Sequence, residues 1–137
     1  MRDRLSEAEA SYVRWCRVAR LATVDPEGVP HVVPICPVLD GDAVVFATDA
    51  TAKLRNLEAN PACALVFDEY VEDWSLLRQV LVRGRAEILT EGSAWERGKA
   101  LLEEKFRQYE PMAPITPGQT RIVRVRIEAV ASDGFEP

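Results

Sequence analysis

The sequence predicts a mainly β domain of the α+β class, in which six antiparallel strands close into a barrel flanked by helices. Three observations carry this prediction. Six segments are rich in β-branched residues, hairpin turn signals join several of them, and helical patterns do not alternate regularly with strands. At about 150 residues per domain, residues 1–137 form a single domain.

The helices are predicted from their capping patterns and from amphipathic spacing. Ser6 and Glu9 form a capping box at the start of the first helix. Thr51 is the predicted N-cap of the second helix, which Pro61 ends. Three prolines make 110–119 a loop after the third helix. The predicted helices cover residues 7–17, 52–59 and 93–109.

The strands are delimited by glycine and proline turns. Residues 25–28 are a turn with proline at its second position and glycine at its fourth. The second strand carries Pro30, Pro34 and Pro37, so we expect it to be bulged or to lie at an edge of the sheet. Gly84 predicts a bulge or a close backbone approach. The predicted strands are 18–24, 29–39, 43–48, 62–70, 76–89 and 120–131.

The charge pattern excludes several classes of protein. The chain has 17 basic and 22 acidic residues, a net charge of −5, and no run of basic residues. We therefore expect no nucleic-acid partner. No apolar stretch reaches the roughly 18 residues of a membrane span, and residues 1–11 carry charges instead of the apolar run of a signal peptide. We expect a cytoplasmic protein with no membrane partner.

Cysteine and histidine supply little chemistry. Cys16, Cys36 and Cys63 contain no C-x-x-C spacing, so we predict reduced thiols and no metal site. His31 is the only histidine, and no G-x-S-x-G elbow accompanies it, so a hydrolase is not expected. Because the sequence offers few candidate side chains for acid–base catalysis, it suits a protein whose reactivity comes from a bound cofactor. No catalytic residue is assigned.

The end of the third strand and the start of the second helix are the first candidate site. Backbone N–H groups at a helix start attract anions. Lys53 lies in the first turn, where a cation opposes the helix dipole unless it contacts something negative. One interpretation is a phosphate clamp of Thr48, Thr51, Lys53 and Arg55. The other is a solvated helix start with Arg55 paired to an acidic neighbour.

Three further features have two interpretations each. The proline-rich segment 30–37 either exposes backbone groups to a flat heterocycle or twists to close the barrel. Trp74 either stacks on a ring or anchors its loop to the core. A set of arginines either converges on a polyanion or lies on exposed strand faces. The set is Arg78, Arg83, Arg85, Arg121, Arg124 and Arg126.

Four segments resemble one known family. Residues 20–31 resemble its L-A-T-x-x-x-x-G-x-P opening, and residues 53–61 resemble its K-x-R-N-L-x-x-D/N-P helix. Residues 73–74 and 82–86 resemble the D-W and V-x-G-x-A segments that follow. The order and spacing over 19–89 are similar to those of the pyridoxamine 5′-phosphate oxidase-like, FMN-binding split β-barrels. The nearest resemblance is to the flavin/deazaflavin oxidoreductases, many of which use coenzyme F420.

The resemblance implies a homodimer with two cofactor sites at the subunit interface. It implies that Lys53 contacts the cofactor phosphate with Thr48 and Thr51 nearby, and that Arg55 and Asn56 are partly structural and support this clamp. Trp74 of the partner subunit would approach the site. The resemblance also implies that the backbone of Pro34, Ile35 and Cys36 lies along the isoalloxazine or deazaflavin ring.

The sequence also departs from the family pattern. Thr51 stands where some relatives have a second basic residue. The arginine-bearing C-terminal motif that holds pyridoxamine phosphate is absent from 134–137, where Phe135 either covers the site or docks the tail. We therefore do not expect vitamin B6 oxidation.

The function implied by the resemblance is an oxidoreductase that uses F420H2 to transfer a hydride to a small planar substrate. The alternative within the same fold is an FMN-dependent oxidase or reductase. A different class would be a non-enzymatic binder of flavin, F420 or haem, with His31 as the axial ligand to haem. A structural dimer with an empty site is a further alternative.

Overall fold

A computed structural model describes residues 1–135. The helices are α1 (Glu7–Trp15), α2 (Ala52–Ala59), α3 (Ser93–Lys105) and α4 (Tyr109–Met112). The strands are β1 (Ala19–Val24), β2 (Pro30–Ile35), β3 (Val38–Asp40), β4 (Ala43–Thr48), β5 (Ala62–Asp68), β6 (Gln79–Leu89) and β7 (Arg121–Asp133). A single 3₁₀ turn covers Trp74–Leu76.

The strands form one antiparallel sheet in the order β2-β1-β5-β6-β7-β4-β3. The two outermost strands are consecutive in the chain, and only Cys36 and Pro37 separate them. The sheet must therefore curl until its two edges lie side by side. The predicted class, an antiparallel barrel with flanking helices, is confirmed.

The number of strands differs from the prediction. Residues 29–39 form two strands instead of one, so the described chain has seven strands rather than six. The break falls at Cys36 and Pro37, where proline cannot donate a hydrogen bond and the chain passes from one edge of the sheet to the other. The prediction that the proline-rich strand lies at an edge is confirmed.

Alternating burial along the strands builds the barrel core. Leu21, Leu65 and Val82 point inward and are at most 1% exposed. A second apolar cluster joins the outer side of β4 and β7 to α3 through Val45, Ile122, Trp95, Leu102, Phe106 and Ile115. The predicted bulge at Gly84 is present, because the β6–β7 register shifts between Arg83 and Gly84. A Cβ at Gly84 would collide with the backbone oxygen of Arg126, so only glycine fits this close approach.

The helix ends confirm both predicted N-cap residues. Ser6 and Glu9 form the predicted capping box, with N–H···O distances of 3.2 and 2.8 Å. Thr51 is the N-cap residue of α2, as predicted, but its side chain makes no capping hydrogen bond.

The helix predicted over residues 93–109 is shorter in the structure, and the loop predicted over 110–119 begins within a short helix. The third helix ends at Lys105, since Phe106 leaves the helical region and buries its ring. The short helix α4 then lies across the start of the predicted loop. Pro111 fits there because the first turn of a helix tolerates a missing N–H.

Lys105 joins three parts of the fold near the barrel end. Its ammonium donates to the carbonyl of Cys16 at 2.6 Å and to the carbonyl of Pro37 at 2.8 Å. The end of α3 is thereby tied to the end of α1 and to the bend between β2 and β3. Burial lowers the pKa of Lys105 to about 8.

Within residues 1–135, no helix is both long enough and apolar enough to cross a membrane.

Candidate functional site

Thr48 and Thr51 lie together at the end of β4. Thr48 is 6% exposed, and its hydroxyl donates to the carbonyl of Asp49 at 2.9 Å. The Thr51 hydroxyl lies 3.1 Å from the Thr48 hydroxyl. Instead of capping α2, Thr51 therefore pairs with the strand end, and the two hydroxyls present one polar corner.

Lys53 and Arg55 follow within the first turns of α2. Lys53 is half-buried and Arg55 is exposed. In the described part of the chain, neither side chain forms an ion pair with a carboxylate within 4.0 Å. The alternative in which Arg55 pairs with an acidic neighbour is therefore wrong, and both cations remain available to an anion.

Asn56 fixes α2 on the barrel. It is 7% exposed, and its amide donates to the hydroxyl of Thr23 on β1 at 3.0 Å. Leu54 and Leu57 bury the same side of the helix. Since the helix is anchored in this way, the backbone N–H groups at its start have a fixed position beside Thr48.

Arg121 is a second cation at this corner. From the sequence alone, it was only one member of the set of six arginines. In the β4–β7 ladder, Arg121 lies directly opposite Thr48. It is half-buried, and its one hydrogen bond within residues 1–135 is a long one, 3.4 Å, to the carbonyl of Gln119. We call Thr48, Thr51, Lys53 and Arg121 the Thr48 corner.

The six arginines do not all lie together, but Arg85, Arg124 and Arg126 line one cleft of about 360 Å³. Arg124 binds Asp40 at 2.8 Å, and together with Arg97 it lowers the pKa of that carboxyl to about 2. Arg126 pairs with Glu128, and Arg78 lies over the ring of Tyr12. Arg83 and Arg85 are exposed on β6.

Two clefts flank the Thr48 corner and share a wall. The Thr48 cleft, about 280 Å³, lies between the end of β4 and residues 113–120. The Cys36 cleft, about 460 Å³, lies between the β2–β3 bend and α4. Tyr109 and Ala113 line both clefts, so the two clefts adjoin at these residues, and we call the pair of clefts the trough. Lys53, Thr51 and Arg121 line neither cleft.

The three residues expected along the cofactor ring point in different directions. Pro34 is exposed on the outer face of β2, and Ile35 is buried within the barrel. Cys36 is exposed in the bend and lines the Cys36 cleft. The backbone of all three residues lies at the edge of the sheet. Among their side chains, only that of Cys36 reaches the trough.

Trp74 is not an anchor for its loop. It is 71% exposed, and its indole N–H donates to the hydroxyl of Tyr70 at 3.2 Å. Tyr70 and Leu76 are also exposed, at 65% and 64%. The loop therefore presents three apolar side chains to its surroundings, and Trp74 lines neither the Thr48 cleft nor the Cys36 cleft.

His31 and Phe135 lie away from the trough. His31 points into the barrel opposite Thr23, and its buried Nδ1 has no hydrogen-bond partner within residues 1–135. Phe135 packs edge-on against Tyr12, with ring centroids 5.5 Å apart. Phe135 therefore docks the end of the chain on α1 and does not cover the Thr48 corner.

One face of the sheet carries apolar side chains on its outer side, together with Arg83 between Ala64 and Ala129 and Arg20 opposite Val66. The strand registers place these side chains on the side opposite the inward-facing Leu21 and Leu65. They are half-buried or exposed, and Val32 is 63% exposed. We call this set the outer sheet face: Ala22, Val32, Ala64, Val66, Leu81, Ala129 and Ala131.

Comparisons with known proteins agree with this architecture. The chain is 42% identical over 93 residues to a pyridoxine/pyridoxamine 5′-phosphate oxidase from Azorhizobium caulinodans, which covers 66% of this chain and 42% of that protein. It is 32% identical over 108 residues to a 5a,11a-dehydrotetracycline/5a,11a-dehydrooxytetracycline reductase from Streptomyces rimosus, covering 74% of this chain and 75% of that protein. A solved F420 reductase superposes with a TM-score of 0.73 at 26% identity, covering 93% and 98% of the two chains.

The curated oxidases are longer than this chain, which spans about two-fifths of their length. The match to the family signature described as pyridoxamine 5′-phosphate oxidase is nevertheless broad, since it extends over residues 5–132. The chain therefore belongs to the pyridoxamine 5′-phosphate oxidase family.

Proposed function

We propose that this protein is an oxidoreductase that binds F420H2 and transfers a hydride to a small planar organic substrate, with FMN as the alternative cofactor. The observation that carries the proposal is the Thr48 corner. Two hydroxyls lie 3.1 Å apart where a strand ends and a fixed helix begins, Lys53 is in the first turn of that helix, and Arg121 is opposite Thr48 in the ladder. This donor set suits a phosphate, because hydroxyls and backbone N–H groups donate to its oxygens and cations balance its charge.

The charge balance of the chain supports an anionic ligand at this corner. The protein carries a net charge of −5, yet Lys53 and Arg121 form no ion pair within residues 1–135. Arg121 takes the part of the second basic residue that the sequence lacks at Thr51. Lys53 would bind the phosphate as a point charge, and Arg121 would approach it from β7.

The trough beside the corner supports the rest of the assignment. When bound, the deazaflavin or flavin supplies the hydride chemistry. The backbone of Pro34, Ile35 and Cys36 would orient the ring, and the apolar wall of the Cys36 cleft would exclude water from it. Tyr109, whose pKa burial raises to about 12, stays neutral there and cannot act as a base near pH 7.

F420 is preferred to FMN on two grounds. A relative from Streptomyces rimosus is a reductase, and a solved neighbour is an F420 reductase. F420 also carries an anionic tail, and Arg85, which is exposed on β6 and without an ion pair in the described chain, lines a cleft together with Arg124 and Arg126. These arginines would favour the more anionic cofactor.

We also propose that the functional unit is a homodimer formed through the outer sheet face. Small apolar side chains surround Arg83 on this face, and apolar residues together with arginine are typical of a protein interface. The exposed loop that carries Trp74 adjoins the ends of β5 and β6, whose outward side chains belong to this face. Docking of a second copy would bury both features, and Trp74 of the partner subunit would approach the cofactor.

The proposal is tested by titrating the purified protein with F420, FMN and haem under identical conditions. We expect saturable binding of F420, and an increase of about tenfold or more in its Kd in Lys53→Ala. Arg107→Ala, which removes an exposed cation outside the corner, is the matched control. Tight FMN binding without any response to F420 would reject the F420 assignment. Haem binding that disappears in His31→Ala would favour the non-enzymatic alternative.

A further inference from the structure

The Cys36 cleft has the form of a binding site for a small ring. Its volume of about 460 Å³ lies within the range of ligand pockets, roughly 300–1,000 Å³. Phe106, Tyr109, Met112 and Ala113 supply its apolar walls. Met112 is 78% exposed, which is unusual for a large apolar side chain that has no partner to cover it.

Arg17 is the only charged residue among those that line this cleft in the described chain. Its guanidinium lies 4.7 Å from the centre of the Phe106 ring, and one nitrogen donates to the carbonyl of Lys105 at 3.1 Å. These two contacts fix its plane, while no carboxylate within 4.0 Å in residues 1–135 neutralises it. Its remaining N–H groups can therefore bind an anion in a fixed orientation.

Lys105 adds to the positive potential behind the cleft. Its ammonium is held by the carbonyls of Cys16 and Pro37. It also lies 5.3 Å from the centre of the Phe106 ring. Since both of its hydrogen bonds are to neutral groups, its charge is not cancelled locally. An anionic group in the cleft would be attracted by both cations.

We propose that the Cys36 cleft binds a planar aromatic carboxylate, with the ring against Phe106, Tyr109 and Met112 and the carboxylate on Arg17. An apolar wall ending at one oriented guanidinium is complementary to such a molecule. Cys36 also belongs to the backbone proposed to orient the cofactor ring. The further assignment of this ligand as the hydride acceptor rests on the proposed function, whereas its binding does not.

The test uses the Cys36 thiol as a reporter in the protein without added cofactor. The probe is 2-naphthoate, and the neutral 2-naphthamide is its matched control. The rate of alkylation by iodoacetamide is measured at each cysteine by peptide mass spectrometry. Cys16 is buried, and burial raises the pKa of Cys63 to about 11, so both serve as slow internal references.

We expect saturating 2-naphthoate to slow alkylation of Cys36 about fivefold or more and to leave Cys63 unchanged. In Arg17→Gln, the concentration of 2-naphthoate needed for half-protection should rise about tenfold, while 2-naphthamide should be affected less than about twofold. Arg14→Gln, which removes an exposed cation of α1, should behave as the wild type. Thermal melts verify that each variant is folded.

Two outcomes would overturn the proposal. Absence of Cys36 protection by both probes in the folded wild type would reject the site. Equal protection by the two probes, unchanged in Arg17→Gln, would reject the anionic ligand. The F420 and FMN titration is a separate measurement, so Cys36 protection without cofactor binding would leave this site standing and reject the proposed function.

Discussion

The hydroxyl of Thr51 lies 3.1 Å from that of Thr48 instead of capping α2. Sequence alone indicated that Thr48, Thr51 and Lys53 belong to one corner, because a strand end and a helix start are adjacent in the chain. It could not single out Arg121, which is 73 residues from Thr48 and reaches it only through the register of β4 and β7. Residues that are adjacent in the chain could therefore be grouped from the sequence, whereas the cation brought by a distant strand could not.

A residue-scale prediction concerns Glu9, a buried carboxylate that joins three parts of the chain. It accepts hydrogen bonds from Arg2, from the backbone N–H of Ser6 and from the hydroxyl of Ser132. The contact with Arg2 comes first among the causes that lower the pKa of Glu9 to about 2. A lowered pKa means that the stabilisation is fully present above about pH 4.5 and is lost as pH falls towards 2.

Glu9→Gln should lower the free energy of unfolding at pH 7 by about 1–3 kcal/mol, because the Arg2 charge loses its buried partner. The measurement is urea denaturation at pH 7 and at pH 3. The difference between variant and wild type should shrink at pH 3. Glu7→Gln, which changes an exposed carboxylate of the same helix turn, should show little effect at either pH.

At the scale of elements, the sequence located the strands well except where topology intervened. The capping box at Ser6 and the bulge at Gly84 depend on short-range patterns, and both were predicted. The division of residues 29–39 into β2 and β3 depends on barrel closure, which a local pattern does not contain. The end of α3 at Lys105 is likewise set by the burial of Phe106 and by hydrogen bonds to distant carbonyls.

An element-scale prediction concerns the anchoring of α2. Asn56→Ala removes the hydrogen bond to Thr23 and leaves that buried hydroxyl without its donor, so we expect a loss of about 1–3 kcal/mol in stability. The start of α2 should also lose its fixed position, and the Kd for the cofactor should rise severalfold. Glu58→Ala, an exposed change on the same helix, is the control for both measurements. If Asn56→Ala is destabilised but its cofactor affinity is unchanged, the anchoring of α2 does not contribute to the proposed clamp.

A second element-scale prediction concerns the bulge. Gly84→Ala places a methyl group against the backbone oxygen of Arg126 and the side chain of Val125. Since the backbone cannot yield as a flexible side chain does, we expect a loss of about 1–3 kcal/mol, read from the shift of the thermal midpoint. An unchanged midpoint would mean that β6 and β7 can separate locally at no cost.

At the scale of the whole molecule, the barrel class followed from hairpin signals and the family from the order of four motifs. The outer sheet face was not recognised in the sequence, because its members are alternate residues of five different strands and are mostly alanines and valines. Such a face becomes apparent only when register brings the strands together. Its apolar character is the structural basis of the proposed homodimer.

Val66→Arg tests that dimer. An arginine at the centre of the outer sheet face should convert the dimer to a monomer, because a charge would be buried against an apolar surface. The mass in solution, measured by light scattering, should fall by half. Ala100→Arg on the exposed side of α3 should leave the mass unchanged. A wild-type protein that is monomeric at all concentrations would reject the proposed dimer.

The central claim is that the Thr48 corner holds the phosphate of a flavin or deazaflavin cofactor. It is tested most directly by measuring Kd for F420 and FMN, and for their phosphate-free ring cores, in the wild type, Lys53→Ala, Arg121→Ala and the double variant. The account predicts that each single variant weakens binding of the preferred cofactor about tenfold and leaves the phosphate-free core unaffected. The double variant should bind the cofactor no better than the core. Equal losses for cofactor and core, or no loss in either variant, would contradict the account.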